Sequence, residues 1–311
     1  MCEDVFESLN DISSVRFSPY SNRKELLNEI KDAKALVVGG AELIDEEFLK
    51  NAPELKIIAR FGVGYDNVDV EACTKKGVYV TYTPGVLSKA VAELTIGLIL
   101  CLSRRILEAD RYVKTKWARD SAFPFGIDLE GKTLGIIGLG QIGCAVAYRT
   151  KPFDMKLVYY DVIRKQDFEE TLGASFVKLD NLLKISDFVT IHIPLTSSTR
   201  GLIGERELKL MKKKAYLINT SRGPIVDEEA LCRAVTDGWI AGAALDVFVK
   251  EPLPLDSPLV KLRNVLLTPH IGSATVETRR RMAQVDVESI RRALQGELPP
   301  NLVPEQKGKI F

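Results

Sequence analysis

The sequence predicts an α/β protein of parallel sheets, and three features predict it. Short apolar runs rich in β-branched residues alternate with helically spaced segments along nearly all of its 311 residues. That alternation sets consecutive strands parallel, with helices over both faces of the sheet. One run, 133–137, leads directly into the turn Gly138-Leu139-Gly140-Gln141-Ile142-Gly143, which opens a helical segment. The length exceeds what one hydrophobic core holds comfortably and suits two domains.

Strands are expected over 35–38, 56–59, 78–81, 133–137, 156–160, 188–193, 215–219, 241–246 and 265–268. A helix is expected over 88–116. It is apolar nearly all round from Val91 to Leu102, as suits burial between domains or against a second subunit. Further helices are expected over 227–236, after Arg222-Gly223-Pro224, and over 275–294, which Pro299-Pro300 stops. Residues 117–130 read as a loop and 301–311 as a polar, irregular tail. The chain begins with Val5-Phe6-Glu7-Ser8-Leu9, helical in pattern, so the first sheet is expected to have an altered edge.

Composition excludes several classes of function. Lys+Arg 43 against Asp+Glu 42 leaves a net charge of +1, which offers no surface to nucleic acid. Five cysteines are scattered without a Cys-x-x-Cys pair, and the two histidines, His192 and His270, stand far apart. Neither a metal site nor a disulfide framework is expected, and scattered thiols fit a reducing compartment. The start of the chain lacks a signal-peptide pattern. The longest apolar stretch, 94–102, is about half the length that crosses a bilayer. A cytoplasmic protein without a membrane partner is expected.

Each glycine of the turn has a physical task. Gly138 permits the sharp turn, Gly140 lets backbone approach a pyrophosphate, and Gly143 lets helix and strand pack closely. The helix beginning at Gln141 and Ile142 adds oriented N–H donors and a positive dipole for the phosphates. The strand 156–160 ends at Asp161, 18 positions beyond Gly143. A carboxylate there accepts from both ribose hydroxyls and repels a 2′-phosphate, which favours NAD over NADP. Arg164 keeps the other choice open, because a nearby cation can hold that phosphate.

Three polar spots follow later strands, where open α/β sheets hold ligands: 219–223, 246–252 and 268–275. Reduction of a 2-oxo acid needs a fixed cation for the carboxylate and carbonyl, and a proton donor for the carbonyl oxygen. Arginine grips a carboxylate bidentately. Histidine is the natural acid near neutrality, and a paired carboxylate orients it. Arg222, Glu251 and His270 supply these types. Taken singly, each also fits a surface ion pair, a solvated acid or a satisfied core residue.

The chain resembles the D-isomer-specific 2-hydroxyacid dehydrogenases. Five segments carry the resemblance: 62–69 (Gly-Val-Gly-Tyr-Asp-Asn-Val-Asp), the glycine turn with Asp161, 219–228, 244–252 and 269–275. The resemblance implies two Rossmann-like or flavodoxin-like domains. A nucleotide domain, 91–275, is inserted into a substrate-binding domain made of 1–90 and 276–311. It implies NAD(H)-dependent reduction of glyoxylate or hydroxypyruvate to the D-2-hydroxy acid. Arg222 would anchor substrate and polarise its carbonyl, His270 would act as acid and base, and Glu251 would be its partner. The backbone at Val63 and Gly64 would hold the substrate carboxylate, and Asp246 would lie near the nicotinamide. The implied cofactor set is Gly138, Gly140, Gln141, Ile142, Gly143, Asp161, His192, Pro194, Thr199, Thr220, Ser221, Asp246 and Gly272. His192 is read as lining rather than chemistry, and the helix from Ser88 as the family's interdomain and homodimer element.

Within the family, 83–87, 251–254 and 270–275 look like glyoxylate/hydroxypyruvate reductases. Arg60 instead stands where phosphoglycerate dehydrogenases place a phosphate-binding arginine, and a strand-end ion pair suits it equally. Ser257 replaces a common histidine away from the triad. Formate dehydrogenases carry glutamine where Glu251 stands and are set aside. The reading from another class is an NAD-sensing protein like the C-terminal-binding-protein co-repressors, which share the fold.

Overall fold

A computed structural model of the chain describes residues 2–18, 20, 22–118 and 122–309. The chain divides into two compact units, Met1–Leu87 with Ser273–Phe311, and Ser88–Gly272. Among the described residues no helix is long and apolar enough to cross a membrane.

The first unit carries three parallel strands in the order β1 (Ala35–Val38), β2 (Ile57–Arg60), β3 (Tyr79–Thr81). β2 is buried along its whole length, because its alternating side chains serve two cores. Ile57 and Ala59 pack with Leu9, Ile290 and Ala293, whereas Ile58 joins Phe48, Val80 and Val303. The start of the chain forms a helical turn, Glu3–Phe6, and a 3₁₀ turn, Glu7–Asp11, where the sequence shows no strand. β1 is therefore an edge among the described residues.

The tail is not irregular as far as Lys309. Leu302 and Val303 are buried, and Thr81 pairs antiparallel with Leu302. Gln306 stands in for a strand partner: its side chain accepts from Val80 N (2.7 Å) and donates to Val78 O (2.9 Å). Composition alone hides this, since a glutamine in a polar tail has no periodic signature. Residues 310–311 lie outside the described residues.

The second unit is a seven-stranded parallel sheet. Its strands are β4 (Thr133–Ile137), β5 (Lys156–Tyr160), β6 (Ser175–Phe176), β7 (Phe188–Ile191), β8 (Tyr216–Asn219), β9 (Gly242–Leu245) and β10 (Val265–Leu267). They lie in the order β10-β9-β8-β7-β4-β5-β6. The order reverses at β4, so a crevice opens at the carboxyl ends of β4 and β7, where such sheets bind ligands. Leu134, Ile136, Leu157 and Tyr159 face one core, and Ile137, Val158, Val189 and Leu217 face the other. β6 escapes sequence reading because two residues cannot display a period.

The long helix expected over 88–116 is two helices, Ser88–Arg104 and Ile106–Lys116, divided by Arg105 in left-handed conformation (φ 54°). The Ser103 carbonyl accepts from Ile127 N (2.8 Å), and Gly126 packs so closely on it that a Cβ would stand 2.5 Å away. The 122–130 segment thus takes a bond that would continue the helix. Ser88–Arg104 is buried within its own unit, against the helix Gln141–Thr150 and strands β8 and β9. Ile106–Lys116 buries nothing, and Ile106, Leu107 and Val113 are exposed. Residues 119–121 of the expected loop lie outside the described residues.

Asp286, on the helix Val276–Leu294, is fully buried in the first unit, and neither carboxyl oxygen has a hydrogen-bond partner among the described residues. Burial pushes its pKa up to about 8, with the Arg60 charge pulling it back. The folded chain therefore keeps a proton that the unfolded chain releases near 3.8. The stability this proton contributes is complete below that value and is lost as pH rises toward about 8. Asp286→Asn removes that slope. The urea midpoint of the natural chain should fall between pH 5 and pH 8 more steeply than the variant's, and parallel curves would refute this account.

Candidate active site

The glycine turn leaves β4 with Gly138 at φ 93°, in the left-handed region that favours glycine. A Cβ there would stand 2.7 Å from the His192 carbonyl oxygen at the end of β7. A Cβ on Gly143 would meet Gly138 O at 2.1 Å, so helix and turn touch through backbone alone. Gly140 differs: among the described residues nothing lies within 4 Å of an added Cβ. It is the N-cap of the helix Gln141–Thr150, and no side chain caps that end. Open space beside uncapped N–H groups fits the phosphates of a dinucleotide.

Asp161, just past β5, is tied to this turn, since its Oδ2 accepts from Leu139 N (2.8 Å). Among the described residues Oδ1 makes only a long contact with Ile163 N (3.4 Å), which leaves it able to accept from a ribose hydroxyl. Lys165 Nζ donates to Leu139 O (2.5 Å).

At the end of β7, His192 Nε2 meets Thr190 Oγ1 at 2.9 Å, and burial lowers its pKa to about 3. It is neutral at physiological pH. Thr199 closes the following turn by donating to Pro194 O (2.7 Å). The Ser221 hydroxyl donates to Ile193 O, which joins the ends of β7 and β8. Thr220 is turned to the helix Ser88–Arg104, where its hydroxyl meets that of Thr95 at 3.2 Å.

Arg222 follows β8 on a segment shaped by Asn219, whose Nδ2 donates to Arg222 O (2.9 Å) and whose Oδ1 accepts from Ser221 N (3.0 Å). Gly223 then abuts the segment after β9 so closely that a Cβ would sit 2.0 Å from the Phe248 carbonyl carbon. This contact brings Arg222 within electrostatic reach of Glu251. Arg222 Nη1 itself donates to Ser221 O (2.9 Å).

Glu251 Oε2 lies 2.7 Å from His270 Nδ1, and Oε1 accepts from Phe248 N at 3.0 Å. Burial alone would raise the Glu251 pKa, but the His270 and Phe248 hydrogen bonds, with the His270 and Arg222 charges, outweigh it and hold it below the ordinary value. Glu251 is a carboxylate at neutral pH. The Nδ1 facing it then carries the proton, and Nε2 of a ring with 44% side-chain exposure remains to exchange one with a ligand.

His270 adopts φ 53°, a conformation that costs a non-glycine residue energy and persists only where neighbours impose it. Asp246, 1% exposed at the end of β9, imposes it. Its Oδ1 accepts from Thr268 Oγ1 (2.6 Å) and Ile271 N (2.8 Å), and Oδ2 from Gly272 N (2.8 Å). His270 N in turn donates to Asp246 O (2.9 Å). Asp246 and Gly272, both in the expected cofactor set, are bonded to each other and clamp the histidine loop. Sequence reasoning missed the parts of Asn219 and Thr268, although both sit in segments it singled out.

Val63, Gly64 and Arg60 belong to the first unit. Val63 and Gly64 are half-buried in the turn after β2. Arg60 is 5% exposed and lies beneath that turn: its Nη1 donates to Phe61 O (2.5 Å), and Gly62 stands over it without a side chain.

Comparison with known proteins identifies the family. Residues 96–272 match the NAD binding domain of the D-isomer specific 2-hydroxyacid dehydrogenases. A glyoxylate reductase of Korarchaeum cryptofilum is 49% identical over 292 residues, 93% of this chain and 88% of that protein. The D-lactate dehydrogenase of Aquifex aeolicus, solved with NAD and lactic acid, superposes with a TM-score of 0.86 at 33% identity, covering 96% of this chain and 95% of that one. An NADPH-dependent glyoxylate/hydroxypyruvate reductase of Sinorhizobium meliloti, solved with NADP and malonate, gives a TM-score of 0.83 at 35% identity, covering 91% and 88%. Matched through its dinucleotide turn and over most of its length, the chain belongs to the D-isomer specific 2-hydroxyacid dehydrogenases.

Proposed function

We propose that the chain reduces glyoxylate, or its near relative hydroxypyruvate, to the D-2-hydroxy acid with NADH. The observation that carries this reading is the Glu251–His270 contact of 2.7 Å beside the charge of Arg222. A relative named glyoxylate reductase, half identical to this chain, supports the choice of substrate. NADH is preferred to NADPH because the Asp161 carboxylate is fixed beside the glycine turn, where it repels a 2′-phosphate.

Bound nicotinamide supplies the hydride. The chain does the rest. Arg222 holds the substrate carboxylate and polarises the carbonyl, and His270 gives the carbonyl oxygen a proton from Nε2. Glu251 keeps the other ring nitrogen protonated and stabilises the imidazolium before transfer. The unit Ser88–Gly272 is the nucleotide domain. Arg60 braces the turn after β2 from below and is not a phosphate ligand, which weighs against a phosphoglycerate dehydrogenase. Exposed Ile106, Leu107 and Val113 on one helix support a homodimer.

Loss of NADH absorbance should be fastest with glyoxylate or hydroxypyruvate and slow with 3-phosphohydroxypyruvate. A preference for the phosphorylated acid would reverse the substrate assignment. His270→Ala should lose ~10²–10⁴-fold in kcat while its Kd for NADH stays unchanged. A matching loss of NADH binding would make His270 structural. The two glycines should separate fold from binding. Gly143→Ala should lower stability by about 1–3 kcal/mol. Gly140→Ala should unfold at the natural midpoint yet bind NADH more weakly, and equal thermal shifts in both would overturn their distinct roles.

A further inference from the structure

Two cations follow Asp161, and neither is left to a phosphate. Lys165 is spent on the glycine turn through Leu139 O. Arg164 lies in a two-point ion pair with Glu169 of the helix Gln166–Leu172: Nε to Oε1 at 2.8 Å and Nη2 to Oε2 at 2.7 Å. A third donor fixes that carboxylate. The hydroxyl of Tyr159, a buried side chain of β5, donates to Glu169 Oε1 (2.8 Å) while accepting from Lys165 N (2.8 Å).

The pair is asymmetric. The Arg164 side chain is 55% exposed, whereas that of Glu169 is 17% exposed. Hydrogen bonds from Arg164 and then Tyr159 hold the Glu169 pKa at about 2, against some desolvation. An exposed ion pair alone binds weakly. Here the acid is held in place by the sheet through Tyr159, so the exposed arginine has a fixed, correctly spaced partner at every physiological pH. An arginine so paired must give up two charge-assisted bonds before it can grip another anion.

We propose that Glu169, held by Tyr159, is a cofactor-specificity residue that acts through Arg164. It withholds the guanidinium from a phosphate on the adenosine ribose beside Asp161. Discrimination against NADPH then has two parts: repulsion by Asp161, and a cation committed elsewhere. The inference rests on the reading that Asp161 faces the cofactor ribose. Glu169 itself touches no cofactor; it is a positioning residue.

Direct binding tests it, with intrinsic protein fluorescence titrated by NADH, NADPH and 2′,5′-ADP. Glu169→Gln keeps the size and an acceptor for Tyr159 but removes the charge that holds Arg164. It should tighten NADPH and 2′,5′-ADP by about five- to tenfold and leave NADH unchanged. Adding Arg164→Gln should cancel the gain, an outcome that a general loosening of the helix would not produce. Tyr159→Phe should move the same ratio in the same direction, by less, and serves if Glu169→Gln is unstable. Unmoved NADPH affinity, or a gain that survives Arg164→Gln, overturns the proposal. Failure of the natural chain to bind NADH would overturn the cofactor reading beneath it.

Discussion

The carboxylate of Asp246 is the constraint on which the site depends. Placing an ionised carboxyl in a protein interior is costly unless its oxygens are satisfied. Burial raises this one's pKa, and the bonds from Thr268, Ile271 and Gly272 oppose that rise. Those donors all come from the loop after β10, whereas Asp246 ends β9. The cost of the buried charge thus becomes a tie between adjacent strand ends. His270 sits inside the tie, in a backbone conformation it would not choose unaided. Glu251 then needs only to lie one hydrogen bond from a ring already aimed.

The same economy governs the other strand ends. Gly138 and Gly223 mark places where two strand-end segments approach within backbone contact, against His192 and Phe248 respectively. Asn219 and Ser221 complete the joins through side chains that bond to backbone. The carboxyl edge of β4, β7, β8 and β9 is therefore a set of mutually fixed turns, and functional groups placed there keep their geometry without large side-chain entropy losses.

Much of this was legible in the sequence. Buried parallel strands read as continuous apolar runs, which is why β4, β5 and β10 appear where periodicity and turn residues predict them. The glycine turn is legible because each glycine answers a local steric demand. Other features depend on partners distant in sequence. The break at Arg105 is set by Ile127, the covering of β3 by Gln306, and the duty of Asp246 by residues some 22 to 26 positions away. No local window contains those pairs. For Asp246 and Gly272 the residues stand out in the sequence but the bond between them does not, because burial, not identity, ties a carboxylate to its own loop.

Arg60 extends that point to substrate choice. An arginine preceding Phe61-Gly62-Val63-Gly64 reads as a phosphate ligand when only its position is known. Its side chain, though, lies under the turn, with Nη1 on Phe61 O and with Gly40 and Gly62 packed against it. Asp286 is buried close enough to feel its charge. Reaching a phosphate would require the guanidinium to leave that pocket, forfeiting a buried hydrogen bond. A small, unphosphorylated oxo acid asks for none of this. The arginine's burial under its own turn, rather than its presence in the sequence, is what separates it from an exposed anion ligand.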